Sequence, residues 1–383
     1  MTVFPPRTAV LTGVLAIPAA LVLSACGGAS DANTADGKNA ATATTADALG
    51  GIDALAEAAK KEGTLHAIAL PRDWANYGAL IDGFTKKYGI KVEVENPKGA
   101  SQDEIKAVTS RKDQGNAPDV LDLGSSFAQS AAQDGLLAPY MVTGFADIPD
   151  VQRDSIGRWA NDYGGYISFG CDAKRVQTCP TSFKDLLQPQ YKGKVALNGD
   201  PTTAGSAFGA VYAAALARGG SFEDIQPGID FFTKLKKDGV LAPEKSTAAT
   251  VAKGRTPISI DWDYLNAGYT EALKSKGIDW KVTVPSDGKF SQYYSQAINK
   301  DAPHPAAARL WLEYLYSPEG QNLRLKGFAR PALMDAMKKA GKLDKTAAAK
   351  LPKVSGTPDF PTETQQSNAK LAITQSWGGS ASQ

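Results

Sequence analysis

Gln296-Ala297-Ile298-Asn299-Lys300-Asp301-Ala302-Pro303-His304-Pro305-Ala306-Ala307-Ala308-Arg309-Leu310-Trp311-Leu312-Glu313-Tyr314-Leu315-Tyr316 leads into Ser317-Pro318-Glu319-Gly320-Gln321. Gln292 to Ile298 reads as an extended segment. Pro305 opens a helix to Tyr316, because its fixed φ suits the first helical position and the N–H it lacks has no intrahelical partner there. Trp311, Leu312 and Leu315 bury one face of that helix. Ser317 caps the next helix, with Pro318 at its first position. A strand, a proline turn and two helices in this order point to an α/β protein.

The same alternation extends back toward the N-terminus. Ile52 to Glu62 carries apolar residues at helical spacing and stops at Gly63. Thr64 to Leu70 reads as a strand, Tyr77 to Tyr88 as a helix ended by Gly89, and Ile90 to Glu95 as a strand with one wet face. Ser101 to Gln114 reads as a helix capped by Ser101 with Glu104 three residues on. Asp119 to Leu123 is a buried strand opening into Gly124-Ser125-Ser126. This order predicts a parallel sheet covered by helices. Tyr163 to Gly170 reads as an extended crossing segment whose glycines suit a hinge. Beyond it, strands at Val195–Asn198, Thr256–Asp261 and Trp280–Pro285 alternate with an Ala-rich helix to Arg218 and a helix from Ser221 to Lys237. From Ala332 the chain is predicted as Lys- and Ala-rich helices followed by a Pro-rich loop.

The first 25 residues hold one charge, Arg7, and an apolar stretch, Ala9 to Leu23, broken by Gly13 and Pro18. A membrane span needs about 20 apolar residues, so the stretch fits an export signal. It ends Leu23-Ser24-Ala25-Cys26-Gly27, which resembles the bacterial lipobox and implies cleavage before Cys26 and lipidation of its sulfur. Gly27 to Ala48 is built of Gly, Ala, Ser, Thr, Asn and Asp apart from Lys38, and is expected to be a disordered tether.

The Ala-Pro-x-Pro turn, its helix and the Ser-Pro-Glu-Gly-Gln turn resemble the extracellular solute-binding proteins of ABC importers, in the branch that takes ferric iron, polyamines, thiamine and phosphonates. Glu62-Gly63-Thr64-Leu65, Tyr88-Gly89-Ile90-Lys91-Val92, Pro118-Asp119-Val120 and Tyr191-Lys192-Gly193-Lys194-Val195 extend the resemblance over nearly the whole mature chain. It implies a two-lobed periplasmic-binding-protein-like fold of type II, with a hinge and an interlobe cleft, and a ligand at the strand ends between the lobes. The expected organisation is a signal peptide over 1–25 and a lipid-anchored tether over 26–50. Residues 51–162 with 296–330 make one lobe, and 163–295 with 331–383 the other.

Four segments are expected to face the cleft. The loop after the first strand offers Trp74 and Tyr77, and similar family members use it. The turn at Ser125 and Ser126 offers hydroxyls and backbone amides to a polar or anionic group. Asp200, Thr202 and Thr203 precede a helix. Asp261, Trp262, Asp263 and Tyr264 follow a buried strand and set two carboxylates around an indole, a cage for an ammonium group. Each segment has a plainer reading as helix capping or aromatic packing. Ferric members bind through adjacent tyrosines just after the strand that here ends at Asp261, where this chain reads Asp263-Tyr264. Alternation lets only one of Tyr293 and Tyr294 face the cleft, and Tyr293 is taken as that residue.

The 42 basic and 40 acidic residues give a formal charge of +2, and no basic cluster points to nucleic acid. Cys171 and Cys179, with seven residues between them, suggest a disulfide in an exported chain; free thiols or a metal pair are the alternatives. With two histidines and no further cysteine beside the lipid site, no metal is assigned and no cofactor is expected. Nucleophile, metalloprotease and phosphate-loop motifs are missing, and Ser286-Asp287-Gly288-Lys289 places its S-x-x-K in a turn. The expected function is therefore capture of a small polar, amine-bearing solute by a monomeric lipoprotein of the cell envelope, anchored to the outer face of the membrane. It would hand the solute to an ABC permease and ATPase. A lipid-anchored hydrolase on the same scaffold and a solute sensor are the alternatives.

Overall fold

Helix and strand alternate as the apolar spacing predicts, beginning with α1 (Ile52–Glu62), β1 (Thr64–Ile68), α2 (Tyr77–Tyr88) and β2 (Lys91–Glu95). The structure is a computed structural model that describes residues 34–35, 38–354 and 359–381. The signal peptide and Cys26 lie outside these residues. Next come α3 (Ser101–Ser110), β3 (Val120–Gly124), α4 (Ser125–Gln133), β4 (Leu137–Ala138) and β5 (Ala160–Asp172). They are followed by β6 (Val195–Leu197), α5 (Gly205–Ala217), α6 (Gln226–Lys237), α7 (Ala248–Ala252), β7 (Ile258–Trp262), α8 (Asp263–Ala272) and β8 (Trp280–Thr283). The chain ends with β9 (Ser291–Asn299), α9 (Pro305–Tyr316), α10 (Pro318–Lys326), β10 (Arg330–Pro331), α11 (Met334–Lys339), α12 (Lys345–Ala348) and α13 (Glu363–Ala381).

The main sheet runs β2-β1-β3-β9-β5-β7-β6. β1 pairs in parallel with β2 and β3, and β6 in parallel with β7, while β9 and β5 are antiparallel to their neighbours. β5 divides its length between two groups of strands: Ala160–Tyr166 pairs with β9, and Ile167–Cys171 with β7. The two lobes thus share one continuous strand. The glycines of that strand also permit close packing. A Cβ on Gly164 would strike the Gln292 carbonyl, one on Gly165 the Asp263 carboxylate, and one on Gly170 the Trp280 indole.

The Pro305–Gln321 stretch folds as its sequence reads. Every residue of α9 is buried, Trp311 meets Phe84 edge-on at 5.1 Å, and Ser317 Oγ accepts the Gly320 N–H at 3.2 Å. Cys171 and Cys179 form a disulfide.

Two expectations need correction. Ser101 does not cap α3: Ala100 holds the cap position, and Asp103 accepts the Ala100 N–H at 2.9 Å. Ser101 and Glu104 instead accept the backbone N–H groups of Gly124 and Asp122 at 3.1 and 2.8 Å. The tether, expected to reach residue 50, is ordered against the fold over its described part: Thr34–Ala35 pairs with Lys38–Asn39, and the chain packs on the fold from Ala40 onward. Ala40, Ala43, Ala46 and Leu49 are buried, spaced three apart so that small side chains line one face. Buried Arg309 donates to the carbonyls of Ala43 and Ala41 at 2.8 and 2.9 Å, which supplies the polar partners that this apolar-poor segment needs. α13 touches both ends of the molecule: Glu363 accepts from Gln133 of α4 at 2.5 Å, and Trp377 packs on Phe232 of α6 at 6.0 Å.

Candidate ligand-binding cleft

A cleft of about 830 Å³ opens past the C-terminal ends of β1 and β3, opposite the loop after β6, where open α/β sheets bind ligands. One wall carries Trp74, Glu104, Asp122 and Tyr294; the other carries the 198–206 loop with the start of α5, Lys245 and Tyr269. The walls meet closely, since a Cβ on Gly124 would lie 3.3 Å from Gly205 Cα. At both positions only glycine permits this approach without displacement.

Asp122 sits inside the apolar run Val120-Leu121-Asp122-Leu123 and is 4% exposed. Its Oδ2 accepts the Tyr163 hydroxyl at 2.7 Å, and its Oδ1 accepts the Gln296 amide at 2.8 Å. Trp74 Nε1 donates to the same Tyr163 hydroxyl at 2.7 Å. Burial pushes the Asp122 carboxyl up to about 7, against the pull of the Arg324 guanidinium and the Tyr163 hydroxyl. Burial also raises Glu104, with the nearby Asp122 charge adding to the effect. Behind this pair, Arg324 lies over the rings of Tyr77 and Tyr163 at 4.1 and 4.0 Å and pairs with Asp162 at 2.6 Å, both charges fully buried. Trp74 stands edge-on to Tyr294 and Tyr264 at 5.5 and 6.0 Å, and Tyr163 stacks on Tyr294 at 5.7 Å. The result is an aromatic pocket floored by carboxyls, and such a pocket accepts a cation.

The opposite wall has the reverse character. Ala204 is the cap residue of α5 and offers no side-chain acceptor, so the first N–H groups of that helix keep their capacity for an outside acceptor. Gly205 and Ser206 at this end line the cleft, with Lys245 nearby. A helix N-terminus beside a lysine favours an anion.

Among the residues singled out from sequence, Trp74, Asp200 and Thr203 line the cleft. Asp200 Oδ1 accepts the backbone N–H and the hydroxyl of Thr202 at 2.8 and 2.5 Å, so these two residues shape the loop. Tyr77 lies one layer deeper, its hydroxyl accepting from Gln296 at 2.9 Å. Ser125 donates to the Tyr293 carbonyl at 2.7 Å, and Ser126 is buried in the first turn of α4. The Asp261–Tyr264 cluster does not form the expected cage. Asp263 is fully buried and paired with Arg330, and its Oδ1 accepts the Tyr166 N–H at 3.0 Å. Asp261 accepts the Trp262 N–H at 2.8 Å, and burial raises its carboxyl to about 7. Trp262 and Tyr264 stack on one another at 6.4 Å beneath the aromatic pocket. Tyr293 turns away and packs against Phe360 at 5.8 Å, while Tyr294 takes the cleft position. Alternation separates the two tyrosines but does not say which face of β9 meets the cleft.

A model of the bacterial extracellular solute-binding protein family matches residues 115–356. A Salmonella paratyphi A periplasmic protein named for 2-aminoethylphosphonate binding is 27% identical over 250 residues, covering 64% of this chain and 70% of the relative. Among solved structures, iron-bound HitA from Pseudomonas aeruginosa superposes with a TM-score of 0.60 at 21% identity, covering 82% of this chain and 98% of HitA. AfuA from Actinobacillus pleuropneumoniae, with fructose-6-phosphate bound, gives 0.62 at 18% identity, covering 83% and 98%.

Proposed function

The chain belongs to the bacterial extracellular solute-binding proteins, and from that premise we propose that it captures a small solute bearing an amine at one end and an acidic, acceptor-rich group at the other, of the aminophosphonate class. Binding proteins of this family deliver small solutes to ABC permeases, and they are binding proteins, not enzymes. The observation that carries the reading is the polarity of the cleft. Buried Asp122 and Glu104 lie on the wall with Trp74 and Tyr294, opposite the uncapped N-terminus of α5 and Lys245. The ammonium sits against the aromatic wall, each cation–π contact contributing about 0.5–2 kcal/mol. The phosphonate oxygens accept from Gly205, Ser206 and Lys245. The Salmonella relative's name couples the same two groups in one molecule.

Calorimetry with 2-aminoethylphosphonate, ethylphosphonate and putrescine tests this. The first is expected to bind at least tenfold tighter than either of the others, since a charge-assisted hydrogen bond is worth about 1.5–3 kcal/mol. Equal affinity for ethylphosphonate or putrescine, or no heat from 2-aminoethylphosphonate, overturns the reading.

The same reading has the protein exported as a monomeric lipoprotein held by Cys26, its lobes built from 51–162 with 296–330 and from 163–295 with 331–383. α13, which reaches from α4 to α6, then bridges the two. Cys26→Ala is expected to move the protein from the membrane to the soluble fraction during cell fractionation. Retention in the membrane would put the anchor elsewhere.

A further inference from the structure

We propose that His66, Asp119 and His304 form a binding site for a divalent transition-metal ion of the Zn²⁺ type, at the end of the sheet away from the cleft. The chain has two histidines, and the fold brings both to one place, from β1 and from the residue before α9. Their rings meet edge-on at 4.6 Å. Asp119, just ahead of β3, lies between them. One ligand atom from each of the three residues falls within 4.8 Å of the others.

The carboxylate is fixed before any ion arrives. Asp119 Oδ2 accepts the His66 backbone N–H at 2.6 Å and meets His304 Nδ1 at 2.9 Å, while Oδ1 accepts the His304 backbone N–H at 2.7 Å. An ion bound by both groups takes the place of the proton that His304 Nδ1 and Asp119 Oδ2 share. Exposure is graded in the direction an entering ion requires: Asp119 is 0% exposed, and the rings of His304 and His66 are 18% and 23% exposed. Glu93 pairs with His66 in the β1–β2 register, and its Oε2 lies 3.8 Å from His66 Nε2 on the solvent side. Two imidazoles with one or two carboxylates suit Zn²⁺ and its neighbours, not Mg²⁺ or Ca²⁺, which favour oxygen ligands alone. Donors around tetrahedral Zn²⁺ lie about 3.3 Å apart, so rotation of the exposed rings draws the set together without moving β1 or β3. Sequence spacing assigns no metal here because the ligands come from opposite ends of the chain.

None of these residues lines the cleft. Asp119 stands ahead of β3, whereas the cleft opens beyond the other end of that strand at Gly124. The ion would staple the start of α9 to β1 and β3.

Titration of untagged, chelator-treated mature protein with ZnCl₂ in a calorimeter tests the proposal, with Co²⁺ absorption as a second readout. One equivalent binding at micromolar or tighter affinity is expected, with the intense visible Co²⁺ bands of a four-coordinate site. His66→Gln and His304→Gln should each weaken binding at least tenfold. If His304→Gln fails to fold, His66→Gln decides the matter, because that ring is the more exposed of the two. No binding by wild type, or Zn²⁺ binding unchanged by His66→Gln, overturns the site.

Discussion

Asp122→Asn is expected to weaken binding of the amine-bearing solute by at least thirtyfold while leaving the unliganded protein as stable as wild type or more so. Removing one member of a buried, hydrogen-bonded charge pair costs about 2–5 kcal/mol of binding. Asparagine keeps the shape of the residue and the bond from the Gln296 amide, while its Nδ2 donates to the Tyr163 hydroxyl, which donated to the carboxylate before. The apo protein gains because the wild-type carboxyl is costly to ionise. Its proton is held up to about pH 7, whereas an unfolded aspartate releases it near about 3.9. The folded state therefore binds the extra proton between those values, and stability falls as pH rises through that window. Ligand binding runs the other way. An ammonium needs the ionised carboxylate, so affinity should rise with pH up to about 7 and level off above it, with protons released on binding at pH 6. Calorimetry in two buffers of different ionisation enthalpy, at pH 6 and pH 8, reads both effects. A pH-independent affinity, or full affinity in Asp122→Asn, would mean that this carboxyl does not meet the ligand.

Arg324→Ala is expected to give the largest loss of stability, about 3–5 kcal/mol, because it leaves Asp162 buried without its cation. In a chain of this size that corresponds to a midpoint lowered by roughly 5 °C in calorimetric melting. Binding should suffer as well. Arg324 Nη1 donates to the Ala75 carbonyl at 3.0 Å, beside Ala75 and Asn76, whose φ values of 42° and 64° put them in the left-handed region. Without that bond the turn carrying Trp74 loses a restraint on a conformation that costs energy to hold. The pair Asp162→Asn with Arg324→Met should recover much of the stability, since it removes both charges together. Equal melting of Arg324→Ala and wild type would mean that the ion pair contributes nothing net.

Periodicity made most elements legible, because α1 and α2 bury one stripe each and end at glycines, while α9, buried all round, runs from Pro305 to the Ser317-Pro318 turn. The loops after strands were legible too, which is how Trp74, Asp200 and Thr203 could be singled out. The carboxyls of the cleft were not. Ser101 and Glu104 have the spacing of a helix cap, and only the tertiary fold turns them toward β3. Asp122 did carry a signal: a lone acid inside an apolar strand is costly unless partnered, and its partners are Tyr163 and Gln296. The choice between Tyr293 and Tyr294 depends on which face of β9 meets the cleft, which local alternation does not encode. Arg330 gave no hint that it would neutralise Asp263 from 67 residues away.

The docking of Ala40–Leu49 onto Arg309 shortens the leash. If Cys26 carries acyl chains, as proposed, at most fourteen residues separate the lipid surface from Ala40. Even fully stretched, that span reaches at most about 50 Å, against about 85 Å if the chain ran unattached to Gly50. On that reading the body would stay within about that distance of the bilayer, held by the segment that packs beside α9. A binding protein suspended this way would not diffuse away after releasing its cargo. It would meet the same transporter again, and the attachment point would restrict which of its faces can turn toward it.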